Sequence, residues 1–245
     1  MKLRYYLLLT AAALVLIGSF FLPNAVAGIT DSRRLDNLVM VDSQSVSFET
    51  APELGLLERI ALVASPNTEV LALKTGQAMG VETACDRAVK ELERFFIGSP
   101  FVFGMQVVEE CQAAFVINSE DPSVNMIIWE LAIIDTSGNA MNVTIDDETG
   151  AILKIIFRWA NRSQIYPVGE NSAMNNSPSD EELYSTALRM SEMMEAYYGL
   201  PVALADYQFS GSLAYYRVDI SGDGKLIPMY GVVRSSSFTI NEKLL

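Results

Sequence analysis

Histidine is absent from this 245-residue chain. Its absence removes Ser-His-Asp and Cys-His catalysis, most zinc sites and the commonest general base near neutral pH. Cysteine is nearly absent too, with Cys85 and Cys111 the only two. They suffice for one disulfide outside the cytoplasm, or for two buried thiols, but without histidine they make no zinc centre. Basic residues are scarce: 17 Lys and Arg face 30 Asp and Glu, for a net charge of −13. No basic stripe interrupts that excess, so nucleic acid is excluded as a partner. Ser-x-x-Lys, Gly-x-Ser-x-Gly and phosphate-cradling loops are missing as well.

One long apolar run is present. Tyr5 to Leu22 carries no charge, and as a helix it would reach about 27 Å, the thickness of a hydrocarbon core. Lys2 and Arg4 ahead of it favour a cytoplasmic N-terminus. Asn24-Ala25-Val26-Ala27, after Pro23, has the small-x-small pattern of a signal-peptidase site. The run exceeds the usual h-region of about 7–15 residues. The expectation is therefore a retained single-pass transmembrane helix, with the membrane as one partner and the body extracytoplasmic. Secretion after cleavage at Ala27 is the alternative. No cysteine lies near residue 27, so a lipoprotein is excluded. Beyond residue 27 the chain keeps 15 of its basic residues and all 30 acids, a net of −15.

Strand signals are clearest between Asn125 and Phe157. Ile127, Trp129, Leu131 and Ile133 fall on one face and Glu130 and Ala132 on the other, with Ile128 and Ile134 as exceptions; Met141, Val143 and Ile145 alternate with Asn142, Thr144 and Asp146; Leu153, Ile155 and Phe157 follow. Asp135-Thr-Ser-Gly-Asn139 and Asp146-Asp-Glu-Thr-Gly150 supply the turns, giving a three-stranded antiparallel meander. Ahead of it, Val81, Ala84, Cys85, Ala88, Leu92, Phe95 and Phe96 follow helical spacing, and Cys111 to Asn118 reads as a further strand.

Trp129-Glu130, the Asp-Thr-Ser-Gly turn and the run from Val143 through Asp146-Asp-Glu-Thr-Gly150 to Leu153 resemble the end of a PepSY domain. The likeness covers about residues 81 to 157. That family pairs a helix with a short antiparallel sheet, in propeptides of secreted metallopeptidases and in membrane-anchored bacterial envelope proteins. The resemblance implies binding or restraint of another protein, and it carries no catalytic residue onto this chain.

The pattern recurs. Ser179-Asp-Glu-Glu182 is a capping box, Leu183, Ala187, Met190, Met194 and Tyr197 form a helical stripe, and Gly199-Leu-Pro201 ends it. Strands are predicted at 202–209, 214–220, 225–234 and 237–241. Residues 161–178, poor in large apolar groups, read as a linker. The expected fold is α+β: an N-terminal transmembrane helix followed by two PepSY-like units, each a helix plus an antiparallel meander. The divisions are 1–27 for the anchor or signal, 28–80 for a stalk and strand-helix segment, 81–160 for unit 1 and 179–245 for unit 2. Within 28–80, a strand is expected at Ser45–Glu49, a helix from Thr50-Ala-Pro-Glu53 with Leu54, Leu57 and Ala61 buried, and a strand at Glu69–Lys74.

Acid clusters are the remaining chemical candidates. Asp146, Asp147 and Glu148 read as turn chemistry, because a site also needs converging partners from elsewhere. Asp219-Ile-Ser-Gly-Asp-Gly-Lys225 resembles the front of a calcium loop, but Tyr230 occupies the position of the bidentate Glu, so it too reads as a hairpin turn. Glu109-Glu110 reads as a solvated loop, and Met190, Met193, Met194, Tyr197 and Tyr198 as core. No catalytic, metal or cofactor-binding residue is assigned and no cofactor is expected. The functional expectation is a non-catalytic extracytoplasmic binding or regulatory module held at the membrane, contacting a peptidase, a peptide or another envelope protein. The contact surface is expected at exposed strand edges or in a crevice between the two units. The alternatives are a structural subunit of a membrane complex and a carboxylate-dependent hydrolase.

Overall fold

The computed structural model describes residues 54–99, 104–160 and 178–241. Its helices are α1 (Leu56–Ala64), α2 (Val81–Phe95) and α3 (Asp180–Tyr198). The strands are β1 (Thr68–Leu73), β2 (Gln106–Asn118), β3 (Asn125–Asp135), β4 (Ala140–Asp146), β5 (Ile152–Arg158), β6 (Val202–Ser210), β7 (Leu213–Gly222), β8 (Lys225–Arg234) and β9 (Ser237–Ile240).

Local chemistry explains where the helices begin and stop. The Ser179 hydroxyl accepts from the Glu182 N–H, and the Glu182 carboxylate accepts from the Ser179 N–H, so α3 opens on a reciprocal cap. It closes on Gly199 at φ 66°, a left-handed conformation that glycine adopts without steric cost. In α2, Ala84, Ala88, Leu92 and Phe95 recur on one face and all are buried. For α1 the Glu58 carboxylate returns to the Gly55 N–H at 3.0 Å, and Ser65-Pro66 stops the helix. Its first helical residue is Leu56; the expected start at Thr50–Glu53 and the strand at Ser45–Glu49 lie outside the described residues. Leu57 is buried as expected. Ala61 is only half-buried, because Arg59, Ile60 and Leu62 turn inward instead.

All the strands form one antiparallel sheet in the order β1-β2-β3-β4-β5-β9-β8-β7-β6. Each of two successive segments runs helix, then four strands: α2 with β2–β5, and α3 with β6–β9. They join through their last strands, where Ile155 faces Ile240 and Phe157 faces Phe238. The expected architecture is corrected here. Among the described residues, two separate units give way to a single nine-stranded sheet with three helices. The outer edges of β5 and β9 would each leave a row of backbone groups unpaired, and pairing them satisfies both rows at once. The junction also buries a large aromatic cluster. Phe157 stacks on Phe238 at 5.2 Å, with Phe96 and Trp159 packed around them. Among the described residues no helix is long and apolar enough to cross a membrane. The expected anchor at 1–27 and most of the linker at 161–178 lie outside the described residues.

The sheet curls. Helix α1 touches β1 and β2 on one side of the order and β7 and β8 on the other. Laid flat, strands seven places apart would lie about 34 Å from one another, while a nine-residue helix is only about 13 Å long. Both ends therefore wrap toward α1. Asn241 fastens the wrap, its side-chain amide donating to Ile60 O at 3.1 Å and to Leu153 O at 2.9 Å.

Candidate functional site

The β4–β5 turn, read from sequence as five turn-forming residues, is a buried polar centre. Asp146 and Asp147 are 0% and 3% exposed, an unusual depth for two adjacent carboxylates. Asp146 does make its own turn: one oxygen accepts from Thr149 N at 2.8 Å and from the Thr149 hydroxyl at 2.6 Å. Gly150 completes that turn at φ 74°. The other Asp146 oxygen takes Nη1 of Arg59 at 2.6 Å, while Nη2 of Arg59 binds Glu148 and Nε donates to Leu54 O. Burial alone would lower the Arg59 pKa, but its bonds to Glu148 and Asp146 outweigh that and raise it above its ordinary value. The guanidinium stays charged and tied to both acids.

Asp147 points to a different loop. Its Oδ2 accepts from the backbone N–H of Gln77 at 2.8 Å and of Ala78 at 2.7 Å. Oδ1 accepts from Met79 N at 3.2 Å and from the indole N–H of Trp129 at 2.6 Å. Three successive amides thus cup one carboxylate, the geometry of an anion nest with the anion supplied by the chain itself. Gly76 makes the approach possible, since a Cβ there would lie 2.0 Å from Asp147 Oδ1. A cavity of about 240 Å³ opens alongside, lined by Leu54, Arg59, Gln77, Asn125 and Glu148 among others.

Every Asp146 and Asp147 oxygen is already engaged by donors of the fold. The arrangement clamps α1, the 76–79 loop and the hairpin together, and it leaves neither aspartate free for proton transfer. Sequence reasoning did not foresee Arg59, Gly76 or the amides of 77–79. The only signal for them was an arginine at a helical position flanked by leucines and isoleucine.

A second polar contact links α2 to α3. Tyr197 donates its hydroxyl to Glu91 at 2.7 Å and accepts from Ile152 N at 2.9 Å, and the Arg94 guanidinium lies 5.1 Å from the Tyr197 ring centroid. Tyr198 donates to Ile152 O at 2.9 Å. Burial, above all, raises both phenol pKa values beyond the ordinary tyrosine range. A raised folded-state pKa means that the native state holds protons the unfolded state has released. The stabilisation is complete below about pH 10 and is lost as pH climbs toward the folded values. A spectrophotometric titration should accordingly show Tyr197 and Tyr198 ionising only together with alkaline unfolding. Their ionisation in the intact fold near pH 10 would contradict this account.

The other sequence candidates are placed as follows. Asp223 and Gly224, at φ 51° and 73°, form the two-residue turn between Gly222 and Lys225, a type I′ hairpin. Asp219 lies in β7 beside Arg217. Met190, Met193, Met194 and Tyr197 are buried. Glu109 and Glu110 are exposed within β2, which begins at Gln106 and not at Cys111. Cys85 and Cys111 are free thiols, both half-buried. Among the described residues the two halves meet through hydrogen-bonded strands and packed rings, without a crevice between them.

One feature of the sheet is open. β1 covers β2 only from Ala113 to Asn118, where Leu73 pairs with Ala113 and Thr68 with Asn118. Among the described residues, no strand pairs with that side of Gln106–Gln112. Val107 and Met105 stand 53% and 74% exposed there. No family model, curated protein or solved structure matches the chain.

Proposed function

We propose that this protein is an extracytoplasmic, non-catalytic binding module that takes an extended segment of another envelope protein or peptide along β2. The reading rests on the edge of Gln106–Gln112, which no strand among the described residues pairs. Seven strand residues span about 23 Å, and in an antiparallel ladder alternate residues turn both backbone groups outward. An added strand would satisfy those groups, with β1 as a stop at one end and Val107 and Met105 offering apolar contacts. The resemblance of residues 81–157 to PepSY domains points the same way, as does the commitment of the hairpin acids to internal bonds. The charge-free run from Tyr5 to Leu22 supports the location.

The test pairs capture from an envelope extract with hydrogen exchange. A bound segment should slow amide exchange across Gln106–Gln112, and Val107→Lys should reduce capture at least about tenfold, since a lysine charge on an edge strand opposes strand addition. Recovery of the protein alone in repeated captures, or capture unaffected by Val107→Lys, sinks the proposal.

A further inference from the structure

We propose that Cys85 and Cys111 are a redox pair that closes reversibly to an intramolecular disulfide, tying α2 to β2. The assignment stands apart from the function proposed above. Cys85 lies in the second turn of α2, and Cys111 on the strand beneath that helix. The Cys111 thiol approaches Val81 O at 3.9 Å, the carbonyl one helical turn before Cys85. Ala84 and Ala88, both fully buried, keep the helix backbone close to the strand. Within the helix that same Val81 carbonyl accepts the N–H of Cys85, so Cys85 and the Cys111 thiol flank one backbone group. Bridged cysteines hold their Cβ atoms about 3.5–4.5 Å apart, a spacing that side chains on one helical turn and on the strand beneath it reach by rotation. Each keeps part of its surface open to solvent, the side from which a small-molecule disulfide approaches.

The oxidant is a small disulfide such as oxidised glutathione. The thiolate of one cysteine attacks a glutathione sulfur, breaks that S–S bond and releases one glutathione thiolate. The second cysteine then attacks the protein sulfur of the mixed disulfide, forming the Cys85–Cys111 bond and expelling the second glutathione. Two electrons pass from the protein to the oxidant, and the two thiol protons end on the two glutathione thiols. Burial above all, with the nearby Cys85 adding to it, pushes the Cys111 thiol up to about 12. Cys111 is therefore a slow first nucleophile near neutral pH.

The full chain in detergent is equilibrated with oxidised glutathione, quenched by alkylation and digested without reductant. A peptide joining Cys85 to Cys111 is expected. The loop closed between them should raise the unfolding temperature by about 5–10 °C over the reduced protein. That rise should be absent in Cys111→Ala; if this variant does not fold, Cys85→Ala serves the same purpose. Both thiols still open to alkylation after oxidation, two separate glutathione adducts, or linkage only between molecules would each overturn the assignment.

Discussion

Replacing Asp147 with alanine should destabilise the protein by about 3–5 kcal/mol, because four donors lose one buried acceptor group. The donors are Trp129 Nε1 and the backbone amides of Gln77, Ala78 and Met79. Hydrogen bonds to a charged partner are worth about 1.5–3 kcal/mol each, and part of the loss is recovered where water reaches the part-buried loop. For a chain of this size the change lowers the unfolding temperature by about 10 °C. Asparagine should do little better. Either oxygen serves two donors, so an amide nitrogen in place of one of them points a donor at two donors. Two local readouts separate this from general weakening: exchange at 77–79 should speed up, and the Trp129 fluorescence should change as its indole N–H loses its partner. A drop of less than about 2 °C for Asp147→Ala, corresponding to under 1 kcal/mol, would show that the clamp contributes little.

Removing the cation from the same centre should cost a similar amount for a different reason. Arg59→Met leaves the buried Asp146 carboxylate without its guanidinium and Glu148 without its partner. Breaking a buried ion pair from one side typically costs about 3–5 kcal/mol, since the remaining charge stays desolvated. Replacing both charges is milder: an Arg59→Met/Asp146→Leu double variant should recover part of the loss, although Thr149 then loses its acceptor. A double-mutant cycle measured by denaturant unfolding gives the coupling directly. Coupling near zero would mean that Arg59 matters for its packing alone.

The two clusters explain what could and could not be read from sequence. Alternation at Ile127–Ile133 and Met141–Ile145, and the Ser179–Glu182 cap, are local signals, and local physics sufficed to place β3, β4 and α3. Arg59 and Asp146 are 87 positions apart, and no window of sequence contains both. The acids of 146–148 could be recognised as turn formers because Thr149 and Gly150 are adjacent. Their second set of partners arrives only when α1 and the 76–79 loop fold against them. The β5–β9 pairing was hidden for the same reason: each strand signals its own alternation, but nothing in either one names its neighbour. The short β9, four residues long, gives too weak a period to announce a central position in the sheet.

That central position has a consequence for how the chain can fail. Apart from β1 with β2, which spans helix α2, every other strand pairing is a hairpin between neighbours in sequence, and those close short loops and form quickly. The β5–β9 pair must wait for residues roughly eighty positions apart to meet. Until it does, two unsatisfied edges and the rings of Phe157 and Phe238 are exposed together. Another copy of the chain presents the same two edges, in the same complementary registers. Concentrated refolding mixtures therefore favour exchange, with β9 of one molecule completing the sheet of a second, and dilution favours the monomeric closure.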